Sequence, residues 1–392
     1  MRRRLSRFWP GAARFRRYRR ALLAATVLLA LSGFVFGYYV PSRYVTIAPG
    51  PAPDVATLVV PLGQERGEGG DGEGRFLLST VLASSATPLE LWRALTDPEV
   101  DLLPRFFLIP EGMSDEAYGD WGKASMAESQ VVAAWQAWVF LGRETAYVSD
   151  GADVFFVSAG SPAAGQVQPG DVIESWQLAG RSGRLLLPDE FEREVLEAFL
   201  GGPGRSGPVP MSLVLVRDGE TLDVTFPVSG ADLVLWPFLG LALGARNPRT
   251  EPPVPVTFSP GDIGGPSGGL MLALQIVDDF SPVPLTAGKI IGGSGTIGPG
   301  GRVGAIGGVE KKLSGAVAAG ATVFLVPEDD YQAALGAVSA RGSEGLEVIP
   351  VGSLSQAYQV LVSLTALKGP GYNTTDLGPE DEARSRLAAV LP

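Results

Sequence analysis

The longest uninterrupted apolar run lies near the start of the chain, where residues 21 to 40 read ALLAATVLLALSGFVFGYYV, twenty positions without a charge. At about 1.5 Å per residue, a helix of that length reaches across a hydrocarbon core of roughly 30 Å. Arg16, Arg17, Arg19 and Arg20 stand directly before the run, and Tyr38 and Tyr39 close it. This arrangement predicts a single-pass signal anchor over 21–40, a basic cytoplasmic segment over 1–20, and everything from Pro41 onward outside the cell membrane. A cleaved signal peptide, with a shorter apolar core and a small-x-small site, is the rival reading.

Beyond the run the apolar segments shorten. TLVVPL (57–62) and RFLLSTVLA (75–83) predict strands around an exposed loop, QERGEGGDGEG. SMAESQVVAAWQAWVFL (125–141) has helical periodicity, with Ser125 as N-cap and Glu128 three residues on. Short strands then follow at DVFFVS (153–158) and over 210–228, where Asp218-Gly219 supplies a tight hairpin turn, and residues 190–200 predict a helix. A further helix starts near residue 270. Another is expected from Val309 to Ala319, with Val309, Leu313 and Val317 on its apolar stripe, Lys312 at the border of the packed side, and Glu310 and Lys311 turned toward solvent. The segment after Lys368 is polar and reads as a flexible tail.

Composition narrows the chemistry. The chain has 392 residues with neither His nor Cys, which excludes disulfides, thiolate nucleophiles, His- or Cys-ligated metals and every histidine-based triad. No metal site and no cofactor is expected. A general base must then be a carboxylate, a lysine, a terminal amine or a tyrosine. Nine Arg and no acid occupy the first twenty residues, which leaves 22 basic against 42 acidic side chains in the remainder. A body that acidic is unsuited to nucleic acid.

The segment GGPSGGLMLALQIVDDF (264–280) places Ser267 among glycines at a helix start. Backbone N–H groups there, in the stretch Gly265, Pro266, Ser267 and Gly268, are candidates for holding an oxyanion. A serine at a helix start is also an ordinary cap. Lys312, deprived of water, would lose its proton readily enough to serve as a base, and the same lysine on an amphipathic helix is also an ordinary solubilising residue. The residues alone leave both alternatives open. GSGTIG (293–298) formally fits Gly-x-Gly-x-x-Gly, but Pro299 and two glycines follow where a helix should open. Gly288-Lys289 is followed by Ile290 with no glycine-rich lead-in, so no Walker motif is present and no ATP is expected.

GGPSGGLM resembles the nucleophile segment of Lon-type serine peptidases, and GGVEKKL followed by AAG resembles the segment that supplies their lysine. The resemblance implies Ser267 as nucleophile and Lys312 as general base, with Ser294 of GSGTIG as a supporting hydroxyl. GSPAAGQVQPGDVI (160–173) resembles a PDZ signature, which implies a peptide groove around Gly160, Ser161, Pro162, Ala163, Gly170, Asp171 and Ile173. Together with VTIAPGPAPDV (45–55) and MAESQ (126–130), the chain is similar to bacterial membrane-anchored, PDZ-containing Lon-like proteases that lack an ATPase.

That resemblance implies an α/β (α+β) Lon-type proteolytic domain at 233–367, preceded by a PDZ-like β-rich domain at 121–232, an extracytoplasmic region at 41–120 and the transmembrane helix at 21–40, and followed by the 368–392 tail. The implied function is ATP-independent endopeptidase action through a Ser-Lys dyad on extracytoplasmic or membrane-associated proteins. Protein or peptide substrates, the membrane and further copies of the chain are the implied partners. The alternative is an inactive PDZ adaptor or scaffold at the membrane.

Overall fold

The computed structural model describes residues 11–39, 42–62, 74–201, 207–281, 284–342 and 345–366. The first half of the basic segment, nearly all of the 64–74 loop and the whole 368–392 tail lie outside the described residues. In chain order the elements begin with α1 (Gly11–Tyr39), β1 (Tyr44–Pro49), β2 (Val59–Pro61), β3 (Arg75–Leu78), β4 (Val81–Ser85), α2 (Pro88–Thr96), β5 (Asp101–Pro104) and α3 (Asp115–Phe140). Next come β6 (Ala146–Val148), β7 (Ala152–Val157), β8 (Val172–Leu178), β9 (Arg181–Arg184), α4 (Pro188–Gly201), β10 (Val209–Arg217), β11 (Glu220–Val228) and β12 (Leu241–Ala245). The last group is β13 (Arg249–Glu251), β14 (Val256–Phe258), α5 (Gly269–Phe280), β15 (Ile290–Gly293), β16 (Thr296–Ile297), β17 (Val303–Gly304), α6 (Val309–Ala318), β18 (Val323–Pro327), α7 (Tyr331–Arg341), β19 (Glu347–Val351) and α8 (Leu354–Ala366).

The chain divides into two compact units, 1–48 with 83–105 and 49–82 with 106–392. The smaller holds α1, α2 and a three-stranded sheet in the order β4-β1-β5. Its helix α2 opens with a capping box, in which Thr87 Oγ1 accepts from Glu90 N while Glu90 accepts from Thr87 N. Among the described residues, no helix is long and apolar enough to cross a membrane. This overturns the transmembrane signal anchor expected over 21–40. The single-pass topology, the cytoplasmic N-terminus, the extracytoplasmic placement of the remainder and the membrane as a partner go with it.

The larger unit is built on two sheets. One is wholly parallel, β19-β18-β15-β3. Its strands are short apolar runs such as VFLVP and IIGG because helices cover both faces. α3, α5 and α8 form the larger core on one side, where Leu270, Met271, Leu274 and Ile276 meet Ile291 and Leu325. α6 and α7 close the other side around Leu313, Ala316, Phe324 and Ala334. The second sheet is antiparallel, β11-β10-β8-β7-β12, with β9 on β8 and α4 against it. The predicted hairpin is its β10–β11 pair, turning at Asp218 and Gly219 with φ 52° and 83°.

The residues expected to form a PDZ-like groove instead build turns of this sheet's own core, and the PDZ-like domain is a correction. No short helix opens at Ser161. Residues 159–170 are turns with one isolated bridge, and Ser161 Oγ donates to Leu239 O at 2.7 Å while accepting from Ala163 N. Gly160 caps on Ser158, and Gly170 donates to Val154 O. Asp171, 1% exposed, takes a two-pronged ion pair from Arg217, and Ile173 is fully buried. β7, the strand leading into this segment, pairs with β8 on one side and β12 on the other. α3 covers the far edge of β12, with Trp121 Nε1 donating to Leu243 O and Ala245 N to Glu128 Oε2. β7 is thus paired with β12 over its length and with β8 at Ala152 and Asp153, and the segment after it is spent on the turns of this sheet's own core.

α3 starts ten residues before the expected helix. Its cap is Ser114, which accepts from Ala117 N. The polar, glycine-containing first half, DEAYGDWGKA, hides the helical period because it packs through Gly122 and Trp121 and not through an aliphatic stripe. Ser125 lies inside the helix and donates to Trp121 O. Glu128 bridges to β12.

Two predictions follow from this packing. α6 lies so close to the chain at Gly50 that a Cβ on Gly315 would stand 2.5 Å from Gly50 O. Gly315→Ala is therefore expected to destabilise the fold by about 1–3 kcal/mol in a denaturant titration. Glu128, held between α3 and β12, is pushed up to about 8 by burial and, secondarily, by the charge of Asp189, against the lowering effect of the Ala245 N–H. The unfolded chain gives up this proton near 4.5, so between those values the native state binds the extra proton and stability falls as pH rises. Glu128→Gln keeps an acceptor for Ala245 and removes the titration. Its melting temperature should exceed that of the wild type at pH 8 by several degrees, at about 2–4 °C per kcal/mol, and converge with it near pH 4.

Candidate active site

Ser267 sits in a single 3₁₀ turn, Pro266–Gly268, immediately before α5. Three neighbours fix this turn. Gly265, at φ 86° and ψ 156°, adopts a backbone open essentially to glycine, and its N–H donates to Gly122 O of α3 at 2.8 Å. Ser129 Oγ, one face of α3 further along, donates to Pro266 O at 2.9 Å. The carbonyl of Ser267 itself accepts from Gly295 N at 2.8 Å and from Ser294 Oγ at 2.9 Å. The serine hydroxyl is thus presented from a turn whose Pro266 and Ser267 carbonyls are already committed.

Ser294 and Gly295 follow β15, at the carboxyl end of the parallel sheet, where loops converge on a site. Gly295 is needed there because a Cβ would stand 2.9 Å from Val303 and 3.2 Å from Leu270. The Gly-x-Gly-x-x-Gly stretch that contains them runs from the last residue of β15 through β16 and is followed by a 3₁₀ turn at Pro299–Gly301, not by the opening of an α-helix.

α6 brings the lysine. Its first residue follows Gly308, which has left-handed φ 67° and ψ 36°, and the N–H groups of Lys311 and Lys312 both donate to Gly308 O. Lys312 is 3% exposed and its Nζ lies 2.8 Å from Ser267 Oγ and 3.0 Å from Ser294 Oγ. Burial brings its amine down to about 8, partly opposed by the charge of Asp330. Ser294 Oγ has spent its only hydrogen on Ser267 O, so toward the amine it can only accept. A neutral Lys312 can then donate to Ser294 while its lone pair faces the Ser267 hydroxyl, the arrangement a proton transfer from that hydroxyl requires.

The structure brings together Ser267, Lys312 and Ser294 across 27 and 45 residues of sequence. Of the stretch expected to hold an oxyanion, Gly265 N–H is committed to Gly122 and Pro266 has none, which leaves the amides of Ser267 and Gly268. Asp262 is exposed in the turn before the glycines. Lys311, expected to face solvent, is 4% exposed, because α6 is covered on that side as well. Sequence reasoning missed Gly122 and Ser129, which hold the serine turn from α3, and Asp330. The MAESQ segment contains Ser129, but no spacing rule links a mid-helix serine to a loop more than a hundred residues away.

Among the described residues, no group of three or more acidic side chains is placed to hold a metal ion. Residues 254–364 match the family model of the Lon protease (S16) C-terminal proteolytic domain. This span contains the serine turn, the lysine helix and most of the parallel sheet. The chain is a serine endopeptidase with a Lon-type α/β proteolytic domain, and its buried serine–lysine contact is consistent with a Ser-Lys dyad mechanism.

Proposed function

We propose that Ser267 is the nucleophile and Lys312 the general base of peptide-bond hydrolysis, with Ser294 holding the amine in line. The observation that carries this reading is the 2.8 Å contact between a buried, singly placed amine and the Ser267 hydroxyl. Neutral Lys312 takes the hydroxyl proton as Oγ attacks the scissile carbonyl. The amides of Ser267 and Gly268 stabilise the oxyanion, the ammonium returns its proton to the leaving amine, and water then cleaves the acyl-enzyme. The substrates are polypeptide segments already extended, since the chain contains no Walker motif to couple nucleotide hydrolysis to unfolding.

Ser267→Ala should abolish cleavage of labelled casein, a loss of at least about a thousandfold, with an unchanged melting temperature. Lys312→Ala should match it, and robust cleavage by that variant would remove the lysine from the mechanism.

The pH profile follows from the same amine. The reactive form is deprotonated, and burial places its titration at about 8. Cleavage at subsaturating substrate should therefore rise through pH 8 to an alkaline plateau and fall about tenfold per unit on the acid side. A flat profile between pH 6 and 9 would contradict a lysine base.

A further inference from the structure

The amine of Lys312 is held from one side by two hydroxyls, and its helix must be held from the other. α6 begins at Gly308 with no side chain capping its first turn. The two residues just ahead of it are Gly307 and Gly308, so the direction in which the helix sets out depends on what fixes the turn they form with Ile306. One carboxylate does so. Asp330, in the 3₁₀ turn Glu328–Asp330 at the end of β18, accepts through Oδ2 from Ile306 N at 2.8 Å. β18 pairs with β15, the strand that delivers Ser294. A single carboxylate thus ties the launching turn of the lysine helix to the strand pair that carries the supporting hydroxyl.

We infer that Asp330 is a positioning residue for the reaction, fixing the 306–308 turn and setting the electrostatic field in which the Lys312 amine works. This rests on Lys312 being the base. Asp330 is partly buried, and its charge acts on Lys312 in the direction opposite to burial. Other charges on the elements around α6 are placed differently. β15 and β18 carry no ionisable side chain, while Arg75 of β3, Glu310 of α6 and the neighbouring Glu328 and Asp329 are exposed. Lys311 is buried on the same helix, and Tyr331 and Arg341 lie on α7. Asp330 is the carboxylate among them whose field reaches the amine. It favours the ammonium, so it keeps the lysine from titrating still lower and strengthens its capacity to take a proton from serine.

The two roles separate by substitution. Asp330→Asn keeps an oxygen for Ile306 N–H and loses the charge. Asp330→Ala loses both, and Asp330→Glu keeps the charge. The readouts are the pH dependence of casein cleavage and of Ser267 labelling by a fluorophosphonate, each in the full chain.

For Asp330→Asn, the acid limb should move down by roughly 0.5–1 unit, with the plateau rate kept within a fewfold. Asp330→Ala should show the same displacement and a plateau lowered about tenfold or more, with KM little changed. Asp330→Glu should restore the position of the limb. Limbs that coincide with the wild type for both Asp330→Asn and Asp330→Ala would overturn the inference, as would a loss of plateau rate in Asp330→Asn equal to that in Asp330→Ala. Should Asp330→Asn fail to fold, coincident limbs for Asp330→Glu, Asp330→Ala and the wild type would overturn the inference equally. Lys312→Ala is run alongside. Cleavage surviving in that variant defeats the base assignment itself, whereas an unmoved limb in the Asp330 variants with inactive Lys312→Ala defeats only the role of Asp330.

Discussion

One lysine kept out of water is the constraint on which the chemistry proposed for this protein rests. A lysine in solvent is protonated and useless as a base at neutral pH. At 3% exposure, Lys312 has lost the hydration that would keep its proton, and among the described residues it gains two hydroxyl contacts and the field of Asp330 in exchange. A salt-bridge partner at hydrogen-bonding distance would undo the effect, and the surroundings provide hydroxyls in its place. Absence of histidine from the whole chain makes this the arrangement on which the proposed serine chemistry rests.

Much of the fold serves to keep that amine in register. The lysine helix approaches its neighbours closely because glycine faces them. A Cβ on Gly292 would stand 2.8 Å from Ala316, and Gly315 nearly touches the backbone at Gly50. The serine turn is likewise held by backbone groups, with Gly122 and Ser129 on α3 to one side and Ser294 and Gly295 beyond β15 to the other. α3 is thus shared between the two halves of the larger unit. Its Ser129 and Gly122 grip the serine turn, and its Trp121 and Glu128 satisfy the outer edge of β12.

The two largest expectations that failed did so for related reasons. A run of apolar letters gave the anchor, but among the described residues no helix is long and apolar enough to cross a membrane. A short turn signature gave the PDZ-like groove. The same letters, Ser161 to Asp171, suit any tight β-turn region that must satisfy its own backbone, and here Ser161 and Asp171 are used internally, on Leu239 O and Arg217. A binding groove depends on an unpaired strand edge, and strand pairing is not written in a fourteen-residue segment.

The sequence by itself determined the chemical repertoire and the local elements. With no histidine and no cysteine, only a lysine, a carboxylate, a terminal amine or a tyrosine could activate a serine. The GGPSGGLM and GGVEKKL segments marked the serine turn and the lysine helix, and Asp218-Gly219 marked the hairpin, because each is a statement about backbone geometry within a few residues. Tertiary structure alone decided that Lys312, and not merely its helix, reaches Ser267. It also decided that Lys311 is buried too, that Gly265 N–H is already occupied, and that Gly122, Ser129 and Asp330 support the site. These facts depend on which surfaces meet across tens to hundreds of residues, and local spacing carries no information about desolvation at such a meeting point.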